Sequence, residues 1–362
     1  MGETTPSFLD ALVLTGGGTG GHFFPAVALA EGARGRWSDR PITFVGARRG
    51  LEARELPTSS WPHLLLDLEG VVGRSPLRMA RSTWKLWRAL AHLKDLWRRE
   101  RPWAVVGTGG YGAAPALLAA RALGIPYFLH ESNAVPGALV KLVAPKARRV
   151  WCGMEAVVPL LSRASCRVVG TPVRKVFLRE FRPAGELIPP FQLLVLGGSG
   201  GARTINEAML AIAPALLERL PEWEILHQAG PADLERLKER PRHQRHAMIP
   251  FIARMDEAME SASLVVSRAG ASTCAELKAS GRGGVLVPLP TSANDHQRMN
   301  ALALAAEGRA FVLEQAPDLP TRLETALLPL LNEAAARQSL SRAPEPNRAV
   351  ELCLEDLDSY LG

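Results

Sequence analysis

The stretch Phe191-Gln-Leu-Leu-Val-Leu-Gly-Gly-Ser-Gly-Gly-Ala-Arg203 decides the fold, because it repeats in kind an earlier one, Ala11-Leu-Val-Leu-Thr-Gly-Gly-Gly-Thr-Gly-Gly-His22. In each, an apolar strand runs into a glycine turn and then into a helical segment, Ile205–Leu220 in one case and Pro25–Arg34 in the other. That is the unit which opens a doubly wound α/β domain. Its recurrence about 180 residues later predicts two Rossmann-like domains, each a doubly wound parallel sheet, facing a cleft.

Apolar runs at Ile42–Val45, Ala104–Val106, Tyr127–Leu129 and Arg149–Trp151 read as further strands of the first domain, with helices at Leu77–Glu100 and Ala113–Leu123 between them. Glu224–His227, Leu264–Val266 and Val285–Pro288 continue the pattern in the second. Strands alternating with helices imply parallel sheets covered on both faces. The proline-rich run Arg182-Pro-Ala-Gly-Glu-Leu-Ile-Pro-Pro190 puts the interdomain linker at 172–190, hence domains at 1–172 and 173–345. The acidic, amphipathic run Arg348–Tyr360 predicts a last helix, within 346–362, that packs back on the first domain.

With 362 residues, 47% of them hydrophobic and 22% charged, the chain has enough apolar material for two cores and is not disordered. Forty-three Lys and Arg against 36 Asp and Glu give a net charge of +7, which favours an anionic partner. Cys152, Cys166, Cys274 and Cys353 form no C-x-x-C pair, so neither a zinc ribbon nor a disulfide framework is expected, and a reducing compartment fits. The N-terminal run Phe8–Leu14 has no basic lead and ends in glycines, unlike a secretory signal. The uncharged stretch 102–120 is broken by Gly107, Gly109, Gly110, Gly112 and Pro115, so it reads as strand, turn and helix start rather than a membrane span.

A glycine turn between strand and helix gathers backbone N–H groups and the positive end of the helix dipole where a phosphate can sit. Two such turns predict a diphosphate site. Gly16-x-Gly18-x-x-Gly21 and Gly107-x-Gly109-x-x-Gly112 both match the dinucleotide fingerprint formally, yet the end of the second strand, Val45-Gly-Ala-Arg-Arg49, lacks the acid that a nicotinamide enzyme uses for the ribose. No G-x-x-x-x-G-K-[ST] motif occurs, which removes P-loop kinases and ATPases.

Seven motifs carry a family likeness. They are Thr15–His22 with Pro25, Gly109-Gly-Tyr-Gly112 with Pro115, His130-Glu-Ser-Asn-Ala-Val-Pro-Gly137, Gly170-Thr-Pro-Val-Arg174, Gly197–Arg203, Ser267-Arg-Ala-Gly-Ala-Ser-Thr-Cys-Ala-Glu276, and Asp295-His-Gln297 with Asn300-Ala301. In this order, over residues 11 to about 301, they resemble the MurG family of bacterial UDP-N-acetylglucosamine transferases, which convert lipid I into lipid II in peptidoglycan synthesis. The resemblance implies a GT-B fold, with the nucleotide on the C-terminal domain and the undecaprenyl-linked lipid I acceptor on the N-terminal one. It also implies inverting transfer of GlcNAc from UDP-GlcNAc to the 4-hydroxyl of MurNAc, no cofactor and no metal. The D-x-D pair Asp356-Leu-Asp358 lies in the acidic C-terminal helix and not after a strand. Further partners implied are cell-wall synthesis and division proteins.

An inverting transfer needs a base near the acceptor hydroxyl and stabilisation of the departing diphosphate. Two residues are candidates for the base. His22 closes the first glycine turn at a helix N-terminus, which would keep it neutral, and Glu131 lies just past a strand end. The family likeness assigns UDP-GlcNAc contacts to Thr19, Gly20, Gly21, Asn133, Arg174, Ser199, Ile252, Ala271, Ser272, Thr273, Cys274, Ala275, Glu276 and Gln297. Among these, Ser199 and the Gly198–Ala202 amides would cradle the diphosphate, Ile252 would meet uracil, and Glu276 would chelate the ribose hydroxyls. The chain departs from the family pattern at Ser132, where relatives often carry Gln, and at Gly200, where some do. His243 and His246, spaced i,i+3 without acids or cysteines nearby, read as surface residues.

Between Arg74 and Arg101 nine bases face two acids, so the rest of the chain is formally neutral and the whole excess sits in one segment. Arg81, Lys85 and Arg88 follow one helical face, with Trp84 and Trp87 beside them, a basic amphipathic pattern with interfacial tryptophans. It predicts peripheral docking on the anionic cytoplasmic face of the cell membrane and argues against nucleic acid. The rival expectation is a helix that packs its apolar side on the sheet and solvates its basic side. Other readings are a UDP-sugar transferase for another lipid such as diacylglycerol, and a UDP-sugar epimerase of similar architecture.

Overall fold

The computed structural model describes residues 6–69, 76–198, 200–290, 292 and 295–361. The chain divides into two compact units, Met1–Lys175 with Asn347–Gly362, and Val176–Pro346.

In unit 1, β1 (Leu12–Thr15), β2 (Ile42–Ala47), β3 (His63–Leu66), β4 (Ala104–Gly107), β5 (Tyr127–Glu131), β6 (Arg149–Cys152) and β7 (Cys166–Val168) form a parallel sheet in the order β3-β2-β1-β4-β5-β6-β7. The central strands β1 and β4 are fully buried and apolar but for Thr15 at the end of β1, as strands covered on both faces must be. Helices α1 (Gly20–Arg36), α2 (Glu52–Glu55), α3 (Pro76–Arg99), α4 (Ala114–Leu123) and α5 (Ala138–Val143) connect them. Leu93 and Trp97 of α3 and Leu117 and Ala120 of α4 join Val105 and Leu129 in one core. Leu12 of β1 pairs with Ile42 on one side and Ala104 on the other, so the winding direction reverses between β1 and β4. The loops that leave the carboxyl ends of these two strands therefore flank the ligand crevice of this kind of sheet.

Unit 2 repeats the design with β8 (Phe191–Leu196), β9 (Trp223–Gln228), β10 (His246–Ile249), β11 (Ala262–Ser267), β12 (Gly284–Leu286) and β13 (Ala310–Val312) in the order β10-β9-β8-β11-β12-β13. Its helices are α6 (Arg203–Arg219), α7 (Pro231–Arg236), α8 (Met255–Ser261), α9 (Ala271–Ser280), α10 (His296–Ala306), α11 (Leu319–Asn332) and α12 (Ala334–Ser339). The reversal falls between β8 and β11, which places the second glycine turn and the N-terminus of α9 at the crevice.

The last helix, α13 (Ala349–Leu361), lies on unit 1. The two acids of its D-x-D pair hold it there. Asp356 accepts from the Trp151 indole at 2.7 Å and from Arg167 at 2.8 Å, and Asp358 accepts from the Trp37 indole at 3.1 Å. Gly32 of α1 permits the close approach, since a Cβ there would lie 2.3 Å from Val350.

Several features differ from the sequence reading. Strands β3, β7, β10 and β13 carry no long apolar run, because all four are sheet edges and stay partly exposed. The strand expected at Val285–Pro288 ends at Leu286, before a proline that has no N–H to extend the ladder. Lys85 is not on the solvated face of α3. It is 7% exposed and donates to Asp67 at 2.9 Å and Glu69 at 2.7 Å, carboxylates just past β3 that draw it inward. His246 is not a surface residue either. It is 4% exposed at the start of β10, where its Nε2 lies 3.1 Å from Nδ1 of His227 of β9 with the two rings nearly coplanar.

Candidate active site

The first glycine turn is shaped by what lies against it. Thr19 is the extended N-cap of α1, and no side chain caps the helix. His22 follows in the first turn of α1, its Nδ1 2.9 Å from the carbonyl oxygen of Thr108, just past β4. A carbonyl can only accept, so the neutral ring carries its proton on Nδ1 and its lone pair on Nε2. The Thr108 hydroxyl donates in return to the His22 carbonyl at 2.6 Å. Gly109 and Gly110 have φ of +96° and +78°, and a Cβ on them would lie 2.8 Å and 3.1 Å from the His22 ring. The second formal fingerprint, Gly107 to Gly112, is thus the seat of the first glycine turn and of His22, and not another nucleotide loop.

An acid does follow β2, three residues beyond Arg49, but it does not point outward as a ribose ligand would. Glu52 at the start of α2 is fully buried, and both its oxygens accept from the Gly18 amide, at 3.0 and 2.8 Å. The sequence reading missed this residue.

Glu131, the other candidate base, ends β5 and is 3% exposed. Its Oε1 accepts from the amide and side-chain nitrogens of Asn133 at 3.0 and 2.9 Å, and Oε2 accepts from the Gly137 amide at 2.9 Å. The carboxylate therefore organises the 131–137 loop and orients Asn133. His130 beside it is buried, donates from Nε2 to the Gly170 carbonyl at 2.9 Å and accepts from Ser132 at Nδ1. Burial lowers its pKa to about 4, so it stays neutral. Arg174 stacks its guanidinium 4.3 Å over the ring of Phe24 in α1. His22, Glu131, Asn133, Arg174 and Thr19–Gly21 thus all belong to unit 1.

In unit 2, Gly198 and Gly201 have φ of +82° and +80°, and a Cβ on Gly201 would lie 2.1 Å from the Ala229 carbonyl. Gly200 has open space where a Cβ would go. Ser199 lies outside the described residues. Helices α6 and α9 have no side-chain cap, Ala202 and Gly270 being their N-caps, so their dipoles suit an anionic ligand. Gln228, at the end of β9, donates to the Gly198 carbonyl and accepts from the Ile252 amide, each at 2.9 Å. It ties the glycine turn to the segment expected to meet the base, and it too went unnoticed in the sequence.

Ala271, Ser272, Thr273, Cys274, Ala275 and Glu276 form the first turns of α9. Glu276 is 7% exposed, and the Ser272 hydroxyl is buried with no partner among the described residues. Burial raises the Cys274 thiol to about 12, which makes it inert. The Gln297 oxygen accepts from the Leu289 amide at 3.0 Å, so its NH2 is the group left to serve a ligand. Among the described residues no cluster of His, Cys, Asp and Glu could hold a metal ion.

Residues 12–152 match the glycosyltransferase family 28 N-terminal domain and residues 192–353 its C-terminal domain, which defines a two-domain sugar transferase of the GT-B type. A transferase of Syntrophotalea carbinolica is 41% identical over 94% of this chain and 98% of its own length. The Acinetobacter baumannii MurG crystal structure superposes with a TM-score of 0.69 at 29% identity, covering 96% of this chain and 99% of that one. A UDP-glucosyltransferase from Polygonum tinctorium, 15% identical with a TM-score of 0.63 over 98% and 100% of the two chains, shares the fold alone. The chain belongs to the family of UDP-N-acetylglucosamine–N-acetylmuramyl-(pentapeptide) pyrophosphoryl-undecaprenol N-acetylglucosamine transferases.

Proposed function

We propose that the chain transfers GlcNAc from UDP-GlcNAc to the MurNAc 4-hydroxyl of lipid I with inversion, unit 1 taking the acceptor and unit 2 the nucleotide. The observation that carries the chemistry is the Thr108 carbonyl on Nδ1 of His22, which leaves the lone pair on Nε2. The acceptor oxygen attacks C1 of the sugar as the bond from C1 to the UDP oxygen breaks, and the hydroxyl proton passes to Nε2. The imidazolium that forms keeps its Nδ1 proton on Thr108. The negative charge that leaves with UDP is met by the uncapped N-termini of α6 and α9. Glu131, whose oxygens accept three loop donors, serves by orienting Asn133 toward the donor sugar.

Docking on the cytoplasmic membrane face belongs to the same reading. Trp84 and Trp87 on α3 are 53% and 64% exposed, and Arg88 stacks 4.6 Å over Trp84, an arrangement suited to a headgroup layer. Among the described residues no helix is long and apolar enough to cross a membrane.

Transfer of labelled GlcNAc to a lipid I analogue and to diacylglycerol tests the acceptor; product on diacylglycerol alone rejects it. His22→Ala should lower kcat about 10²–10⁴-fold with UDP-GlcNAc affinity retained. An undiminished kcat in that folded variant rejects His22 as the base.

A further inference from the structure

We propose that Glu52 is a positioning residue for this reaction: its carboxylate fills the N–H cradle of the first glycine turn as a built-in anion, keeps substrate phosphate out of it, and holds the turn that presents His22. The inference deepens the reading of His22 as base and rests on it.

The carboxylate is fully buried, and among the described residues it forms no ion pair. Its partners are backbone amides, Gly18 to both oxygens and Ala47 to Oε1 at 3.3 Å. Burial raises its pKa, and the amide donors work against that rise. Around it stands a shell of glycines drawn from separate parts of unit 1. A Cβ on Gly17 would lie 2.1 Å from Oε1, on Gly50 2.8 Å from Oε2, on Gly46 2.9 Å from Cγ, and on Gly112 3.2 Å from Oε1. A carboxylate packed this closely leaves no room for a phosphate between itself and Gly17–Gly18. The glycines that look like a nucleotide fingerprint here are spaced to enclose the protein's own anion.

The link to His22 is short. Gly18, held by Glu52, precedes the N-cap Thr19, whose carbonyl accepts from the His22 amide at 3.2 Å. On the other side, a Cβ on Gly110 would lie 2.1 Å from the Gly17 carbonyl and 3.1 Å from the His22 ring, so the turn and the ring share one seat. If Gly17 and Gly18 relax, the first turn of α1 moves with them.

The test compares full-length Glu52→Ala, Glu52→Gln, His22→Ala and the parent protein, each checked for folding by thermal unfolding. Glu52→Ala should lose kcat by about 30-fold or more. Its affinity for UDP, measured by calorimetry, should stay within about twofold, since the residues expected to meet the nucleotide itself, Gly198–Ala202, Ile252 and Glu276, lie in unit 2. Formate should restore its activity saturably, inorganic pyrophosphate should compete with formate, and neither anion should affect the parent in this way. Glu52→Gln, which keeps the shape but loses one acceptor, should lose kcat by about 10-fold. A folded Glu52→Gln with the parent kcat overturns the proposal, as does a loss in Glu52→Ala that formate leaves unchanged. Full activity in His22→Ala would instead overturn the base assignment, while formate rescue of Glu52→Ala would still report the cradle.

Discussion

His22 and Thr108 are joined twice, Nδ1 of the ring to the Thr108 carbonyl at 2.9 Å and the Thr108 hydroxyl to the His22 carbonyl at 2.6 Å. The first bond sets the tautomer and the second sets where α1 begins relative to β4. Because β1 and β4 are the strands between which the sheet reverses, this pair of hydrogen bonds fixes His22, the proposed base, at the place where such sheets bind ligands.

Gly109 makes that geometry possible, so Gly109→Ala should displace the ring. The new methyl group would lie 2.8 Å from Nδ1, at a φ of +96° that L side chains rarely adopt. A shift of about 1 Å in a catalytic group costs about 10²-fold in rate, so kcat should fall by that order. Affinity for UDP, whose expected contacts lie in unit 2, should hold, and calorimetry beside steady-state kinetics separates the two. Parallel losses in kcat and nucleotide affinity would mean that the substitution disturbs more than His22.

Gln228 calls for the opposite pattern. It bridges the Gly198 carbonyl and the Ile252 amide, and Gln228→Leu leaves both without that partner. With one to two hydrogen bonds worth about 1 kcal/mol each, UDP affinity should weaken about 5- to 30-fold, whereas kcat at saturating donor should change little. UDP titration of the folded variant checks this.

How far the sequence carries follows from these residues. The alternation of strands and helices was legible because buried parallel strands are continuous apolar runs closed by glycine turns, as in Ala11–His22 and Phe191–Arg203. The direction in which a polar side chain turns was not. Lys85 has the helical spacing of Arg81 and Arg88, yet Asp67 and Glu69, about 16–18 residues away, bind it at the boundary of that face. Glu52 and Gln228 show no local pattern at all, since their partners are amides and carbonyls brought near by the sheet. Motifs pointed to the surroundings of the candidate site, whereas hydrogen bonds over long sequence separations decide what each residue there is able to do.

Acid should loosen unit 2 through a pair of histidines. His227 donates from Nε2 to the Asn206 side-chain oxygen at 2.9 Å, so its Nδ1 accepts from Nε2 of His246 at 3.1 Å. Burial, with the neighbouring ring adding to it, lowers His227 to about 3, and burial lowers His246 to about 4. Both are neutral when folded, while the unfolded chain takes up protons below about pH 6.5. Stability is therefore fully present above that pH and is lost as pH falls toward 4, by about 2 kcal/mol per histidine at pH 5. Thermal unfolding at pH 7, 6 and 5 should show the fall, and His246→Gln, which can still donate to His227, should reduce its slope by about one proton. An unchanged slope would exclude the pair as the cause.

The basic segment makes separable predictions for its own residues, because the structure divides them between water and the interior. Trp84 and Trp87 are exposed, so Trp84→Ala with Trp87→Ala should weaken binding to phosphatidylglycerol vesicles in sedimentation by about 10-fold or more. Arg81→Gln and Arg88→Gln should each weaken it about 5-fold, matching about 1 kcal/mol per base at an anionic surface, and should have no effect with phosphatidylcholine. Lys85 belongs to the other group. Asp67 and Glu69 hold its ammonium above the usual lysine range, and they are themselves held below the carboxylate range by it. Lys85→Met should leave vesicle binding unchanged and lower the unfolding temperature, since it takes away the 2.7 Å ammonium partner of the largely buried Glu69 carboxylate. If Lys85→Met weakens vesicle binding as much as Arg88→Gln does, the ammonium faces the membrane and the inward pairing is not what positions it.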